Sequence, residues 1–213
     1  MWDFISSRRD DIAFLTYQHF SLVVQCVLLA TVIAVALAIV ITRTPALEPV
    51  ANALSAIGLT LPSFALIGIL LPLTGLGVTT AVVCVTFYAV LPILRNAVVG
   101  LQGVDATLLE SARGMGMTEF GTLARVRLPL AWPVILAGMR TSLQMSMGVA
   151  AIAGYVKGPG LGEYIFTGLA RQGNATALDY VLVATIAIVL IALIADALLL
   201  LLGRLTIPKG IRA

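Results

Sequence analysis

The sequence predicts an all-α, polytopic membrane protein, and three observations support this fold class. Of the 213 residues, 60% are hydrophobic and only 11% are charged, and the mean hydropathy of +1.07 lies outside the range of soluble domains. The apolar runs are long and rich in Leu, Ala, Val and Ile. They lack the alternation of a membrane β-barrel, so the spans are predicted to be helices.

Five apolar windows approach the length of about 20 residues that a helix needs to cross a bilayer core. We treat the chain as one membrane domain, 1–213, with spans near 20–41, 51–73, 78–94, 133–156 and 178–202. Pro62 is expected to kink the second span, and Pro92 with Arg95 to end the third. The segment before Phe20 is expected to be retained as an amphipathic interfacial helix rather than cleaved as a signal peptide.

Basic residues favour one face of the predicted membrane domain. That face carries Arg43, the segment from Arg95 to Arg127, Arg204, Lys209 and Arg212. The opposite face mixes basic with acidic residues. Because basic residues accumulate in cytoplasmic loops, we expect the N-terminus outside the cytoplasm and the C-terminus inside.

Composition argues against several function classes. Basic residues are scattered between the spans, so no nucleic acid partner is expected. Cys26 and Cys84 each stand alone in an apolar run, which predicts neither a metal site nor a disulfide. His19 is the one histidine, so no catalytic residue is predicted. The chain has no GxxxxGK[ST] motif and is expected to bind no ATP itself.

The densest block of charge, ESARGMGMTEFGTLARVRLP at residues 110–129, is predicted to form a helical hairpin. Thr107 and Glu110 have the spacing of a capping box. Thr118 is expected to cap a second helix.

The hairpin also contains predicted breaks and a small face. Gly114 and Gly116 are expected to end the first helix, and Leu128–Pro129 to stop the second. Ala112 and Gly116 are four residues apart and share a helix face, which suits close docking against another protein. A merely solvated loop is the alternative.

These residues resemble the cytoplasmic signature of the permease subunits of type I ABC importers, EAA-x3-G-x9-I-x-L-P. Here the signature reads Glu110, Ser111, Ala112, Gly116, Val126, Leu128 and Pro129. Ser111 and Val126 depart from it by small changes of side chain. The resemblance implies that the hairpin, residues 105–130 including Met117, docks in a cleft of an ATPase and passes its closure to the membrane helices.

Further segments resemble the subgroup that imports glycine betaine, carnitine or choline. They are TLPSFAL, FYAVLPILRN, AGMRTS, GPGLGEYIFTGL and the terminal PKG. An osmoprotectant permease is therefore expected. An ABC permease for an amino acid is the alternative. An ion-driven secondary transporter is a further alternative. It would ordinarily have paired carboxylates at mid-membrane, whereas Asp196 is the only clearly intramembrane acid in the sequence.

The resemblance also implies an assembly in the bacterial cytoplasmic (inner) membrane. Two permease subunits, identical or paralogous, would surround the path in contact with lipid. Two ATP-binding subunits would use ATP and Mg, and an extracytoplasmic substrate-binding protein would deliver the solute. This chain would bind no cofactor and would not be an enzyme.

Two sets of polar residues are candidates for the solute path. They are Thr60, Pro62 and Ser63 in the second window, and Thr141, Gln144 and Gly148 on one stripe of the fourth. Packing between helices is the competing role of such small polar residues. The aromatic residues are scattered along the chain, so tight recognition of a quaternary ammonium group is expected in the binding protein.

Arg140 and Asp196 are predicted to form a buried ion pair. Each lies roughly 10 to 12 Å from the same membrane face by the helical rise, on helices that run antiparallel. An isolated charge at that depth is costly, so the two are expected to face each other. The alternatives are that Arg140 snorkels to the cytoplasm or that Asp196 is protonated.

Overall fold

A computed structural model describes residues 1–207. The terminal PKG segment, Lys209 and Arg212 lie outside the described residues. The α-helices of residues 1–207 are α1 (Trp2–Ser7), α2 (Arg9–Arg43), α3 (Glu48–Thr60), α4 (Ser63–Thr74), α5 (Val78–Gln102), α6 (Ala106–Gly114), α7 (Glu119–Thr122), α8 (Leu128–Ala153), α9 (Gly162–Ala170) and α10 (Ala177–Thr206). The all-α class is confirmed.

Four helical units in this part of the chain are long and apolar enough to cross a membrane: α2, α5, the continuous helix Glu119–Val156 that contains α8, and α10. The pair α3 and α4 is bent by 97° and makes a fifth crossing if it is counted as one broken span. Each of the five apolar windows lies in one of these units. The segment before Phe20 forms α1 and the first turns of α2, which begins at Arg9.

The helix that contains the second window is broken, not merely kinked, at Pro62. Leu61 and Pro62 have extended backbone, with ψ of 124° and 133°, because a residue before proline is disfavoured in the α conformation. The Tyr88 hydroxyl donates a hydrogen bond to the Leu61 carbonyl. This contact ties the break to α5.

Pro92 does not end the third span, and that expectation is wrong. Helix α5 continues through Pro92 to Gln102. Beside the proline, the Ser142 hydroxyl of α8 donates to the Ala89 carbonyl at 2.8 Å. This bond from a neighbouring helix ties α5 to α8 in the turn that precedes the proline, and membrane helices tolerate an internal proline where neighbouring helices support the backbone.

Pro129 does not stop the hairpin's second helix either. Leu123–Arg127 forms a π-helical turn that runs directly into α8 at Leu128. In this turn the Leu128 amide donates to the carbonyl of Leu123, five residues back, so the hydrogen-bond ladder is shifted just before Pro129 and the helix continues through it. The hairpin and the fourth span are one continuous helix, Glu119–Val156.

Helices α2, α5 and α8 form the main core. Ala30, Ala34 and Ala38 are completely buried along one face of α2. On α8, a Cβ atom added to Gly138 would lie 2.7 Å from the Asn96 Cβ of α5. Small residues thus allow these helices to approach closely, as is usual in membranes. A second apolar cluster joins α1, α9 and α10 through Phe4, Leu161, Tyr164, Tyr180, Val183 and Ala184.

Candidate functional site

The first candidate site is the hairpin between α5 and α8. Asp105, not Thr107, is the N-cap of α6: its Oδ1 accepts the Thr107 backbone N–H at 2.8 Å and the Thr107 hydroxyl at 2.7 Å. These bonds stabilise the charged carboxylate and lower the pKa of Asp105 below its usual value. The predicted capping box is wrong because Thr107 already lies within the helix.

The turn after α6 follows the prediction. Gly116 has a φ of +81°, which favours glycine. Its amide donates to the Arg113 carbonyl at 2.9 Å, and the Met117 amide donates to the Ala112 carbonyl at 3.0 Å. This is a Schellman motif, and it ends the helix. The predicted cap of α7 is also confirmed, since the Thr118 hydroxyl oxygen accepts the Gly121 amide at 3.1 Å.

Ala112 does not lie on an exposed docking face, which corrects the prediction. Only 1% of it is exposed, and α6 packs there against α7 and the following turn. Its small side chain therefore serves packing within the hairpin. Of the other signature residues, Glu110, Ser111, Gly116 and Pro129 are exposed, whereas Met117, Val126 and Leu128 are partly buried.

Sequence reasoning missed the two most exposed apolar side chains of the hairpin. Met115 is 73% exposed and Phe120 is 74% exposed. Both line a cleft of about 510 Å³, together with Gly116, Met117, Ala124 and Arg125. Large apolar residues in an otherwise polar segment were the available signal, because such exposed patches mark interaction surfaces.

The hairpin is tied to the membrane helices through Arg127. Its Nη2 donates to the Leu101 carbonyl near the end of α5 at 3.0 Å. Arg127 also lines a cavity of about 330 Å³ with Arg43 of α2 and Arg113 of α6. A displacement of the hairpin would therefore act directly on the end of α5 as well as on α8.

The second candidate site is the predicted solute path. At the break between α3 and α4, Thr60 and Pro62 are exposed and Ser63 is partly buried. On α8, Thr141, Gln144 and Gly148 are all exposed on one face. The Thr60 hydroxyl donates to the Ile57 carbonyl at 2.8 Å, and the Thr141 hydroxyl donates to the Ala137 carbonyl at 3.2 Å. Both hydroxyls thus bond to their own helix and do not link helices.

Arg140 and Asp196 are in contact. The Nε of Arg140 donates to Oδ1 of Asp196 and its Nη2 to Oδ2, both at 2.8 Å. This bidentate arrangement is the strongest geometry available to such a pair, and it joins α8 to α10. The side chains are 36% and 16% exposed, so the pair is partly buried rather than buried. Arg140 borders the exposed stripe of α8.

The aromatic residues are not scattered in space. Phe4, Tyr164 and Tyr180 form a buried cluster with ring centroids 4.7 to 6.3 Å apart. Arg8 lies over the rings of Phe4 and Tyr180, and Arg171 over that of Tyr180, each at 5.1 Å from the centroid. The Tyr164 hydroxyl donates to Asp11 at 2.6 Å. Burial, then this bond to the carboxylate, raises the pKa of Tyr164.

A second aromatic cluster, which we call the aromatic trio, consists of Phe64, Tyr155 and Phe166. Its ring centroids are 5.4 to 6.3 Å apart. The rings come from the start of α4, the turn after α8, and α9. Within residues 1–207, no group of three His, Cys, Asp or Glu side chains is placed to hold a metal ion.

Comparison with known proteins adds to this geometry. The family model described as "Binding-protein-dependent transport system inner membrane component" matches residues 28–207. The chain is 37% identical over 209 residues to the choline transport system permease protein OpuBB of Bacillus subtilis, covering 98% of this chain and 94% of that protein.

Two further relatives and a solved structure are similar. The glycine betaine/carnitine/choline transport system permease protein OpuCB of Bacillus subtilis is 36% identical, covering 100% of this chain and 96% of its own. The osmoprotectant import permease protein OsmW of Salmonella typhimurium is 37% identical, with 94% of each chain covered. A chain of the MetNI methionine ABC transporter, in an inward-facing conformation, superposes with a TM-score of 0.74 at 24% identity, covering 88% of this chain and 94% of that one. This last match establishes the shared fold.

Proposed function

Because the chain belongs to the family of binding-protein-dependent transport system inner membrane components, we propose that it forms the membrane path of an importer for quaternary ammonium osmoprotectants. The resemblance of residues 110–129 to ABC permeases is confirmed by this membership. The chain is a multi-pass permease subunit of an ABC importer, and ATP is hydrolysed by partner subunits.

One observation carries the choice of solute. The relatives matched over nearly the whole chain are named as permeases for choline, for glycine betaine, carnitine and choline, and for osmoprotectants. The fold alone is shared with a methionine transporter. A quaternary ammonium solute is therefore favoured over an amino acid.

The hairpin supports coupling to an ATPase subunit. The hairpin exposes the carboxylate of Glu110 and the apolar side chains of Met115 and Phe120. An exposed apolar pair beside a cleft suits insertion into, or capture by, a partner surface. We assign the docking role to these residues, with Gly116 and Met117 forming the turn between them.

The continuous helix Glu119–Val156 provides the mechanical link. When two ATPase subunits close on ATP and Mg, a hairpin displaced by the ATPase would carry α8 with it. The bond from Arg127 to the end of α5 and the ion pair from Arg140 to α10 would transmit the motion to the neighbouring spans. The stripe of Thr141, Gln144 and Gly148 would then change its exposure to the two sides of the membrane.

The proposed assembly contains two permease subunits, identical or paralogous, two ATPase subunits and an extracytoplasmic binding protein. The hairpin and the C-terminus lie in the cytoplasm and the N-terminus lies outside. Exposed small and polar residues on α8 support a path shared with a second permease subunit, since lipid-facing helix surfaces are usually apolar. The chain itself binds no cofactor.

The test is uptake by the complete transporter reconstituted in vesicles. With binding protein outside and Mg·ATP inside, we expect accumulation of choline or glycine betaine, and no accumulation of methionine. Vesicles without ATP are the control, and uptake should persist when ion gradients are collapsed. Uptake of methionine alone would overturn the solute class, and uptake that follows an ion gradient without ATP would overturn the transport class.

A further inference from the structure

We infer that the aromatic trio of Phe64, Tyr155 and Phe166 binds the quaternary ammonium group of the solute at the end of the path opposite the hairpin. The inference rests on the proposed function, because it names the chemical group that this permease itself recognises. It differs from the expectation that recognition is confined to the binding protein.

The geometry of the rings fits a cation. A cation is attracted to an aromatic face within about 6 Å of the ring centroid. The three centroids are 5.4, 5.6 and 6.3 Å apart, so one cation beside them can lie within that distance of all three. The ring planes stand at 61°, 73° and 89° to one another. Because they are far from parallel, the three ring faces point in different directions.

The trio is open, unlike the other aromatic cluster. Phe64 is 49% exposed and Tyr155 is 63% exposed, whereas Phe4, Tyr164 and Tyr180 are buried. The buried cluster already holds cations from its own chain, Arg8 and Arg171. Among the described residues, every cation–π contact involves Phe4 or Tyr180. The trio therefore offers aromatic faces that no side chain of the described part covers with a positive charge.

The position of the trio continues the candidate path. Phe64 directly follows Ser63 at the break between α3 and α4, and Tyr155 lies in the turn that follows α8, seven residues after Gly148. One ring of the trio is therefore close in sequence to each set of candidate path residues. Helix α8 is 26 residues long, so the trio lies about 40 Å from the hairpin along the helical rise.

A carboxylate lies on the same surface of α9. Glu163 is exposed and precedes Phe166 by three residues, a spacing that makes the two neighbours on a helix. Its negative charge adds long-range attraction for a cation that the rings alone do not supply. Lys157, two residues after Tyr155, is also exposed and presents a positive charge that suits the carboxylate of glycine betaine but not choline, which has none.

The three rings come from three different segments. Tyr155 follows α8, which a displaced hairpin would carry with it, whereas Phe64 belongs to α4 and Phe166 to α9. A shift of α8 would therefore separate Tyr155 from the other rings and weaken the site. Binding before the shift and release after it would follow from the same displacement.

The experiment measures binding of radiolabelled choline and glycine betaine to the purified permease–ATPase complex without binding protein. The variants are Phe64→Leu and Tyr155→Leu, with Tyr155→Phe as the variant that keeps a ring. Phe14→Leu, which changes an exposed phenylalanine of α2, is the matched control. The probe for charge is 3,3-dimethylbutanol, in which carbon replaces the positive nitrogen of choline.

We expect each Leu variant to weaken binding of both quaternary ammonium solutes by about fivefold to thirtyfold, in the range of a cation–π contact. Tyr155→Phe should stay within about twofold, and Phe14→Leu should match the parent. The neutral analogue should bind the parent poorly and should not distinguish the variants.

Several outcomes would overturn the inference. Equal binding by the parent and both Leu variants would exclude the site. Equal losses of affinity for choline and for its neutral analogue would show that the rings make an apolar contact without preference for a cation. Lower abundance of the Leu variants with unchanged affinity would show that the rings stabilise the protein in the membrane interface and do not bind solute. The proposed function fails separately, if the parent transporter imports neither choline nor glycine betaine in the vesicle assay.

Discussion

The hairpin and the aromatic trio lie at opposite ends of α8 and are built in different ways. The hairpin is one continuous stretch, and its caps and turn are made by residues close in sequence, such as Asp105 with Thr107 and Thr118 with Gly121. The trio joins Phe64 to Tyr155 and Phe166 across about 90 intervening residues. Local hydrogen bonds define the first, and helix packing alone defines the second.

This difference separates two tasks of a permease. A surface that engages an ATPase must keep its shape while it is pushed, and locally bonded turns do so. A surface that binds and releases a solute must change its shape when helices shift. Rings on separate segments can change their spacing in this way. The Arg140–Asp196 pair lies between the two ends and joins α8 to α10.

The largest loss of stability is expected when the Arg140–Asp196 ion pair is broken. Arg140→Ala or Asp196→Ala leaves one charge without its partner in the membrane, which costs at most about 3 to 5 kcal/mol because the pair is only partly buried. The thermal unfolding midpoint of the purified complex measures this loss. The unfolding midpoint of the double variant should be no lower than that of the less stable single variant.

Strictly additive losses in that double-mutant cycle would show that the two charges act independently. In that case the pair would not be the mechanical connection between α8 and α10. Unfolding midpoints equal to that of the parent in all three variants would lead to the same conclusion.

The next largest effect is expected for a substitution in the hairpin. Phe120→Glu should lower uptake at least about tenfold, because a charge replaces an apolar contact at the ATPase surface. Phe120→Leu, which keeps an apolar group, should retain most uptake. Co-purification of the ATPase subunit measures docking, and binding of choline should be unchanged. Normal co-purification and uptake by Phe120→Glu would remove Phe120 from the interface.

A smaller effect is expected at the turn. Gly116→Val forces a β-branched residue into the left-handed region, at a cost of about 1 to 2 kcal/mol. Gly116→Asn should cost less, since Asn tolerates that conformation. Hydrogen exchange of the Met117 amide, which is bonded to Ala112, should accelerate about tenfold in the Val variant. Equal exchange in both variants would show that the left-handed turn does not limit opening.

The smallest effect concerns the cap of α7. Thr118→Ala removes the acceptor for the Gly121 amide and should cost about 1 kcal/mol, so that this amide exchanges about fivefold faster. Thr118→Ser keeps the hydroxyl and should exchange like the parent. Uptake should change by less than about twofold in both. A large loss of uptake in Thr118→Ala alone would show that this cap is itself part of coupling.

Several features of the protein followed from the sequence alone. Long apolar runs require helices in lipid, since every backbone group must be paired within its own segment. Gly116 and Thr118 identified a turn and a cap because their effects depend on the nearest few residues. The spacing from Glu110 to Pro129 identified the family, which the comparisons confirm.

Tertiary structure decided what depends on neighbouring helices. Pro92 and Pro129 were predicted to end helices, but α5 is packed against α2 and α8 and continues through Pro92, and a π-helical turn precedes Pro129 in a helix that also continues. Ala112 read as a docking residue, but packing within the hairpin buries it. The aromatic residues read as scattered, because sequence distance does not reveal that α4, α8 and α9 meet. Local rules act over a few residues of backbone, whereas the burial and grouping of side chains are set by contacts between segments far apart in the chain.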